Sequence, residues 1–247
     1  MTMDNNSIFR WRSLFKASGI VAQIIALFLL GEIVVFSVLP SIGEPAQLLS
    51  DFQKNWLFGL LRFDLLGMIS YLLFIPVILS FYFILRRLNE SLTLVSTVLF
   101  FVGISIFFST NTGFCVLSLS RQYGAASSVA ETTLLLATCQ SMITLFKVNS
   151  FMLSYIVVSA SWVMISIPML KSEHFSKLTS WSGIIAGASG IVAEIAENVS
   201  VNFRWIAIAL YFAAIVFLLI WVITGGLQLY VIGCKQDDKS DEVLARS

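Results

Sequence analysis

The sequence predicts an all-α fold: a polytopic membrane bundle of about six transmembrane helices with one further helix at the interface or outer surface. Two observations carry this. Six apolar stretches, Ala17 to Leu39, Trp56 to Leu85, Leu92 to Thr110, Phe151 to Leu170, Trp181 to Val199 and Trp205 to Ile232, occupy most of the 247 residues. A hydrocarbon core of about 30 Å takes roughly 20 helical residues, and within it only a self-bonded helix satisfies its own backbone. Composition is the second observation: 58% of residues are hydrophobic and 12% charged, against about 25% charged in a typical soluble domain, and mean hydropathy is +0.91. The expected organisation is a cytoplasmic segment over 1–16, a single transmembrane domain over 17–232 and a disordered cytoplasmic tail over 233–247.

The first span follows Arg10, Arg12 and Lys16. A secretion signal also begins with basic residues, but this apolar run exceeds the usual h-region of about 7 to 15 residues and ends at Pro40 without a small-residue cleavage pattern, so an uncleaved span is expected. The second span carries Pro76, which has no N–H for the carbonyl of Leu72 and predicts a kink with a freed acceptor. Between the third and fourth spans the chain is almost continuously apolar from Leu134 to Leu170, too long for one crossing and too short for two. Ser128 and Glu131 form an S-x-x-E capping box, so a helix is expected over 129–146, with Lys147 and Asn149 marking its junction with the fourth span. Two placements stay open for it, an interfacial or outer-surface helix and a re-entrant segment. In the fifth span Gly183, Ala186, Gly187 and Gly190 supply a G-x-x-x-G face for close helix approach.

Lysine and arginine set the orientation. Arg10, Arg12, Lys16, Arg86, Arg87, Lys171, Lys177, Lys235, Lys239 and Arg246 fall on one side, and Lys54, Arg62, Arg121, Lys147 and Arg204 on the other. Basic flanks resist translocation, so both termini are expected in the cytoplasm of a cell-membrane protein. Trp56, Trp181 and Trp205 stand near span ends as interfacial anchors.

Charge and motifs exclude several classes. A net charge of +1 with dispersed basic residues gives no footprint for nucleic acid, and the expected partner is the lipid bilayer. The chain has no P-loop, no H-E-x-x-H and no dinucleotide glycine fingerprint, so no cofactor is expected. His174 and the three cysteines lie on different elements, so no metal site is expected. Geometry permits a Cys115–Cys139 disulfide on the predicted outer side, and Cys234 stands at the inner boundary. Gly187, Ala188, Ser189 and Gly190 resemble the short G-x-S-G nucleophile motif of rhomboid intramembrane proteases. Such a serine needs a base on a later span, however, and His174 precedes it in a loop; no catalytic residue is assigned.

What remains is the set of ionisable and amide groups within the spans, which are costly there and often functional. At 1.5 Å per residue Glu32 and Asp64 lie at a similar depth toward the outer side. Glu194, Glu197 and Asn198 project from one face of the fifth span. Arg62, Lys147 and Arg204 are the cations at comparable height, with Asn149 nearby. Arg62 and Asp64, two residues apart on one helix, point to different faces and each requires a partner elsewhere. The set reads either as interhelical ion pairs that fix packing or as a polar cavity for a proton, cation or small solute.

The phrases FDLLGMISYLLFIPVILSFYFILRRLNES (63–91), FCVLSLSRQYGAA (114–126) and FSKLTSWSGIIAGASG (175–190) resemble the bacterial and archaeal membrane-protein family catalogued as domain of unknown function 4386, over roughly Leu57 to Ile195. The resemblance implies a multi-pass prokaryotic membrane protein and transfers no site residues; Glu32 and the acidic tail lie outside the matched part. The functional expectation is a non-enzymatic integral membrane protein, either a small-solute or ion-coupled carrier or an accessory or sensory component. An intramembrane enzyme using the outer carboxylates is the alternative, and whether Glu32, Asp64, Glu194 and Glu197 line one pocket separates the two.

Overall fold

The structure is a computed structural model, and it describes residues 11–39, 42–199 and 204–244; side chains of Val199 and of 236–244 are outside that description. Pro40, expected to end the first span, and Arg10 and Arg246, used for orientation, lie outside the described residues. All regular structure in the described residues is helical: α1 (Arg12–Val38), α2 (Pro45–Lys54), α3 (Trp56–Arg62), α4 (Leu65–Leu85), α5 (Glu90–Thr110), α6 (Gly113–Ala125), α7 (Val129–Leu145), a π-helical segment (Phe146–Leu153), α8 (Ser154–Met169), α9 (Lys177–Val199) and α10 (Arg204–Leu244). Six helical runs among them are long and apolar enough to cross a membrane: Arg12–Val38, Leu65–Leu85, Glu90–Ala125, Val129–Met169, Lys177–Asn198 and Arg204–Lys235. The protein is an integral, multi-pass membrane protein.

Where one transmembrane domain was expected over 17–232, the chain groups into two compact units. The first comprises Met1–Leu27, Tyr71–Val102 and Ile156–Ser247, the second Phe28–Ser70 and Gly103–Tyr155.

The first unit is built on close helix approach. A Cβ on Gly19 of α1 would lie 2.6 Å from Tyr230 Cβ and 2.7 Å from the Gly226 carbonyl of α10, and one on Gly187 of α9 would strike the Ser159 carbonyl of α8. Only hydrogen fits between these backbones. In lipid, where apolar surface gains little from leaving its solvent, such contacts let dispersion hold helices together. The G-x-x-x-G face expected on the fifth span therefore meets α8 at Gly187 and also at Gly183, whose Cβ would collide with Ser166. Larger side chains fill the space the glycines leave: Phe74 packs at 6.1 Å from both Phe100 and Trp162, and Phe81 lies 5.3 Å from Trp221. Pro76 sits inside an uninterrupted α4. Its own carbonyl accepts from Ser18 Oγ at 2.8 Å, and Ser80 donates to Ser18 at 2.8 Å, so serine hydroxyls satisfy the backbone beside the proline.

The second unit contains the short helices and the breaks between them. Its core is Leu48, Leu49, Phe52, Leu60, Phe63, Val116, Leu119, Leu135, Cys139, Ile143 and Phe146. Each break is closed by a polar side chain. Asn55 Oδ1 accepts from the Leu57 and Phe58 amides to start α3, and Asn111 accepts from Gly113 N while donating to the Phe63 carbonyl at 2.8 Å. Asp64, at φ 58°, adopts the left-handed conformation that short polar side chains tolerate. Thr112 donates to the Met142 carbonyl at 2.9 Å.

Four expectations change here. The expected second helix over Trp56–Leu85 divides at Phe63 and Asp64 into α3 and α4, because the Asp64 side chain takes the Gly67 amide at 3.0 Å and caps a new helix start. The 129–146 helix does begin after Ser128, whose hydroxyl accepts from the Glu131 amide, but it continues through the π segment into α8 as one run of 41 residues. The expected disordered tail over 233–247 is helical as far as Leu244, since extending an existing helix adds a hydrogen bond for every residue fixed. Cys115 and Cys139 are free thiols: Cys139 sits on the core-facing stripe of α7 with Leu135 and Ile143, whereas Cys115 is exposed.

Candidate functional site

The nine polar candidates divide between the units. Glu32, Arg62, Asp64, Lys147 and Asn149 belong to the second, and Glu194, Glu197, Asn198 and Arg204 to the first.

In the second unit the break at Asp64 turns its carboxylate toward α1. Asp64 is 8% exposed and Ser70, one and a half turns into α4, is 3% exposed. Ser70 Oγ donates to Glu32 Oε1 at 3.1 Å, and the Glu32 and Asp64 carboxylates are close enough to repel each other. The pair expected from depth alone is thus brought together. No described lysine or arginine forms an ion pair with either. Arg62, the cation nearest in sequence, turns away to Asp51 of α2 at 3.0 Å, because it ends α3 while Asp64 lies beyond the break. Lys147 Nζ donates to the Ile42 carbonyl at 3.5 Å. Asn149, on the π segment, lines a shallow cavity of about 480 Å³ with Gln140, Thr144 and Val148.

In the first unit Glu194 is buried and Glu197 and Asn198 are exposed. Asn198 Nδ2 donates to the Glu194 carbonyl at 2.8 Å, which commits the amide to its own helix. Glu194 Oε1 has no hydrogen-bond partner. Tyr211 of α10 sets its phenol against both glutamates. Arg204 is exposed at the start of α10.

The serine of the G-x-S-G phrase is occupied elsewhere: Ser189 Oγ donates to the Ile185 carbonyl one turn back, an ordinary arrangement for serine in an apolar helix. His174, between α8 and α9, is half-buried, and burial holds its imidazole below the usual histidine range, with Lys235 acting in the same sense and Glu173 against it. Among the described residues no group of three or more His, Cys, Asp and Glu side chains could hold a metal ion.

A family model described as "Domain of unknown function (DUF4386)" matches residues 17–226. The chain belongs to the DUF4386 family. The match extends the resemblance read from the sequence at both ends and corrects one limit of it: Glu32 lies inside the DUF4386 region, as do all nine candidates, and only the acidic tail stays outside. No curated protein and no solved structure matches the chain.

Three residues that complete these sites were not among the candidates. Asp51 was missed because 45–54 read as a connection, although Pro45 at a helix start with Leu48, Leu49 and Phe52 on one face is an amphipathic signal. Ser70 and Tyr211 carry no net charge, and a search for ionisable groups at depth passes over them.

Proposed function

We propose that this DUF4386 protein is a non-enzymatic membrane protein that binds a proton or a small cation at Glu32 and Asp64, as an ion-coupled carrier or a sensory component. The observation that supports this reading is the meeting of the two carboxylates with Ser70 and without a basic partner. Two like charges brought together in a low-dielectric setting require compensation, and where no protein cation supplies it a proton or a bound ion must. An ion pair fixing helix packing would instead set an arginine or lysine against each acid, as Asp51 does for Arg62.

Ligand-dependent melting tests the reading. A cation or proton bound only by the folded state raises stability by about 2.7 kcal/mol at a hundredfold excess over its dissociation constant. In detergent the melting temperature of the wild type should rise with sodium, with calcium or with proton concentration, and Glu32→Gln and Asp64→Asn should lose most of that rise while still folding. A wild-type melting temperature indifferent to all three ions would overturn the assignment.

The bias of lysine and arginine supports placing both termini in the cytoplasm of a cell membrane. An alkaline-phosphatase fusion after Asp51 should be active and one after Lys239 inactive; activity at Lys239 would reverse the assignment.

A further inference from the structure

A second acidic group, in the first unit, has a geometry of its own. Glu194 is 3% exposed, and its Oε1 atom is buried with nothing to bond to. An ionised carboxylate in that position forfeits its solvation without return, so leaving an oxygen unpartnered is costly unless the group exchanges a proton. Glu197 is one helical turn away on the same face and exposed. The phenol of Tyr211 faces both, and a hydroxyl both donates and accepts. No described lysine, arginine or histidine sets a charge against Glu194; the ionisable groups that face it are Glu197 from its own helix and Tyr211 from α10.

We propose that Glu194 is a buried proton-binding site that exchanges with the surface through Tyr211 and Glu197. Glu197, protonated by water, passes its proton to the phenol oxygen of Tyr211 as the phenol O–H proton moves to Glu194. Glu197 is left a carboxylate, Tyr211 is neutral again and Glu194 is a carboxylic acid; the reverse sequence discharges it. Asn198 takes no part, since its amide is held by the Glu194 carbonyl. The site stands on residues other than Glu32 and Asp64, so it and the function proposed above fail independently.

Infrared difference spectroscopy of the full chain in phosphatidylcholine nanodiscs after a pH jump tests this. The wild type should show a protonated-carboxyl C=O band that Glu194→Gln lacks. Tyr211→Phe, which keeps the ring, should retain the band at equilibrium but approach it at least about tenfold more slowly, because the hydroxyl link is gone. Glu197→Gln should slow it likewise. A band that persists in Glu194→Gln overturns the site, and a wild-type rate in Tyr211→Phe overturns the route. Should Glu194→Gln fail to fold, the Tyr211 and Glu197 variants still decide the matter, since both leave Glu194 in place.

Discussion

The two units solve the same problem, satisfying a chain that is apolar nearly throughout, by different means. In the first, helices lie against one another at glycine, with Gly19 against Tyr230 and Gly187 against the backbone of Ser159. In the second, short helices gather around Leu, Phe and Cys139, and the breaks between them are closed by Asn55, Asp64, Asn111 and Thr112. Long helices need few caps because nearly every amide finds its partner within the helix, whereas each break exposes backbone donors and acceptors that must be met. The difference teaches where polar side chains are structural. In the second unit most of them serve a break, and the two that do not, Glu32 and Ser70, are paired with each other beside Asp64.

The same substitution should act oppositely in the two units. Gly187→Ala places a methyl against the Ser159 carbonyl, a backbone atom that cannot yield without moving α8; the loss should be about 2 kcal/mol or more, the cost of overpacking a tight interface. Gly31→Ala in the second unit meets only the terminal Cδ1 of Leu66 at 3.3 Å, and the methyl group should stabilise α1 by up to about 1 kcal/mol through helix propensity. Thermal unfolding of both variants in detergent measures the contrast, and equal shifts of the same sign would break it.

The smallest expected effect is that of His174. Its imidazole is held below the usual range in the folded protein, so the unfolded chain binds more protons as pH falls through the ordinary histidine value. Stability should therefore decline from about pH 7 toward pH 5, by an amount that partial exposure keeps small. His174→Gln should flatten the melting-temperature profile across that window; a profile that steepens instead would show that the folded state favours the charged ring.

Much of the first unit could be read from the chain, because close approach leaves a spaced signature: Gly183 and Gly187 one turn apart predict the contact with α8. The depth arithmetic that placed Glu32 beside Asp64 also succeeded, although it assumed a continuous helix through Trp56–Leu85. The division at Asp64 stayed hidden because no glycine or proline marks it; the signal is a single carboxylate that bonds to the amide three residues on, and aspartate in a helix interior looks the same in sequence. Arg62 was accordingly given a partner in another span, when its partner lay in α2. The continuation of α10 past Lys235 was hidden for a different reason: polar composition weakens packing, but it does not stop a helix already begun.

The π segment at Phe146–Leu153 carries a consequence for how this chain can change length. Its buried positions are Phe146, Ser150 and then Ser154, a spacing of four where an ideal α-helix repeats every 3.6 residues. The wider turn absorbs surplus residues locally and keeps these positions on one line. Removing a single residue there would restore α-helical pitch yet rotate everything downstream by roughly 100°, sending Ser154 off the Gly103 carbonyl it now bonds at 2.9 Å. The segment thus acts as a phase-setting insertion, so alignments of DUF4386 sequences should tolerate gaps in the loops far more readily than between residues 146 and 153.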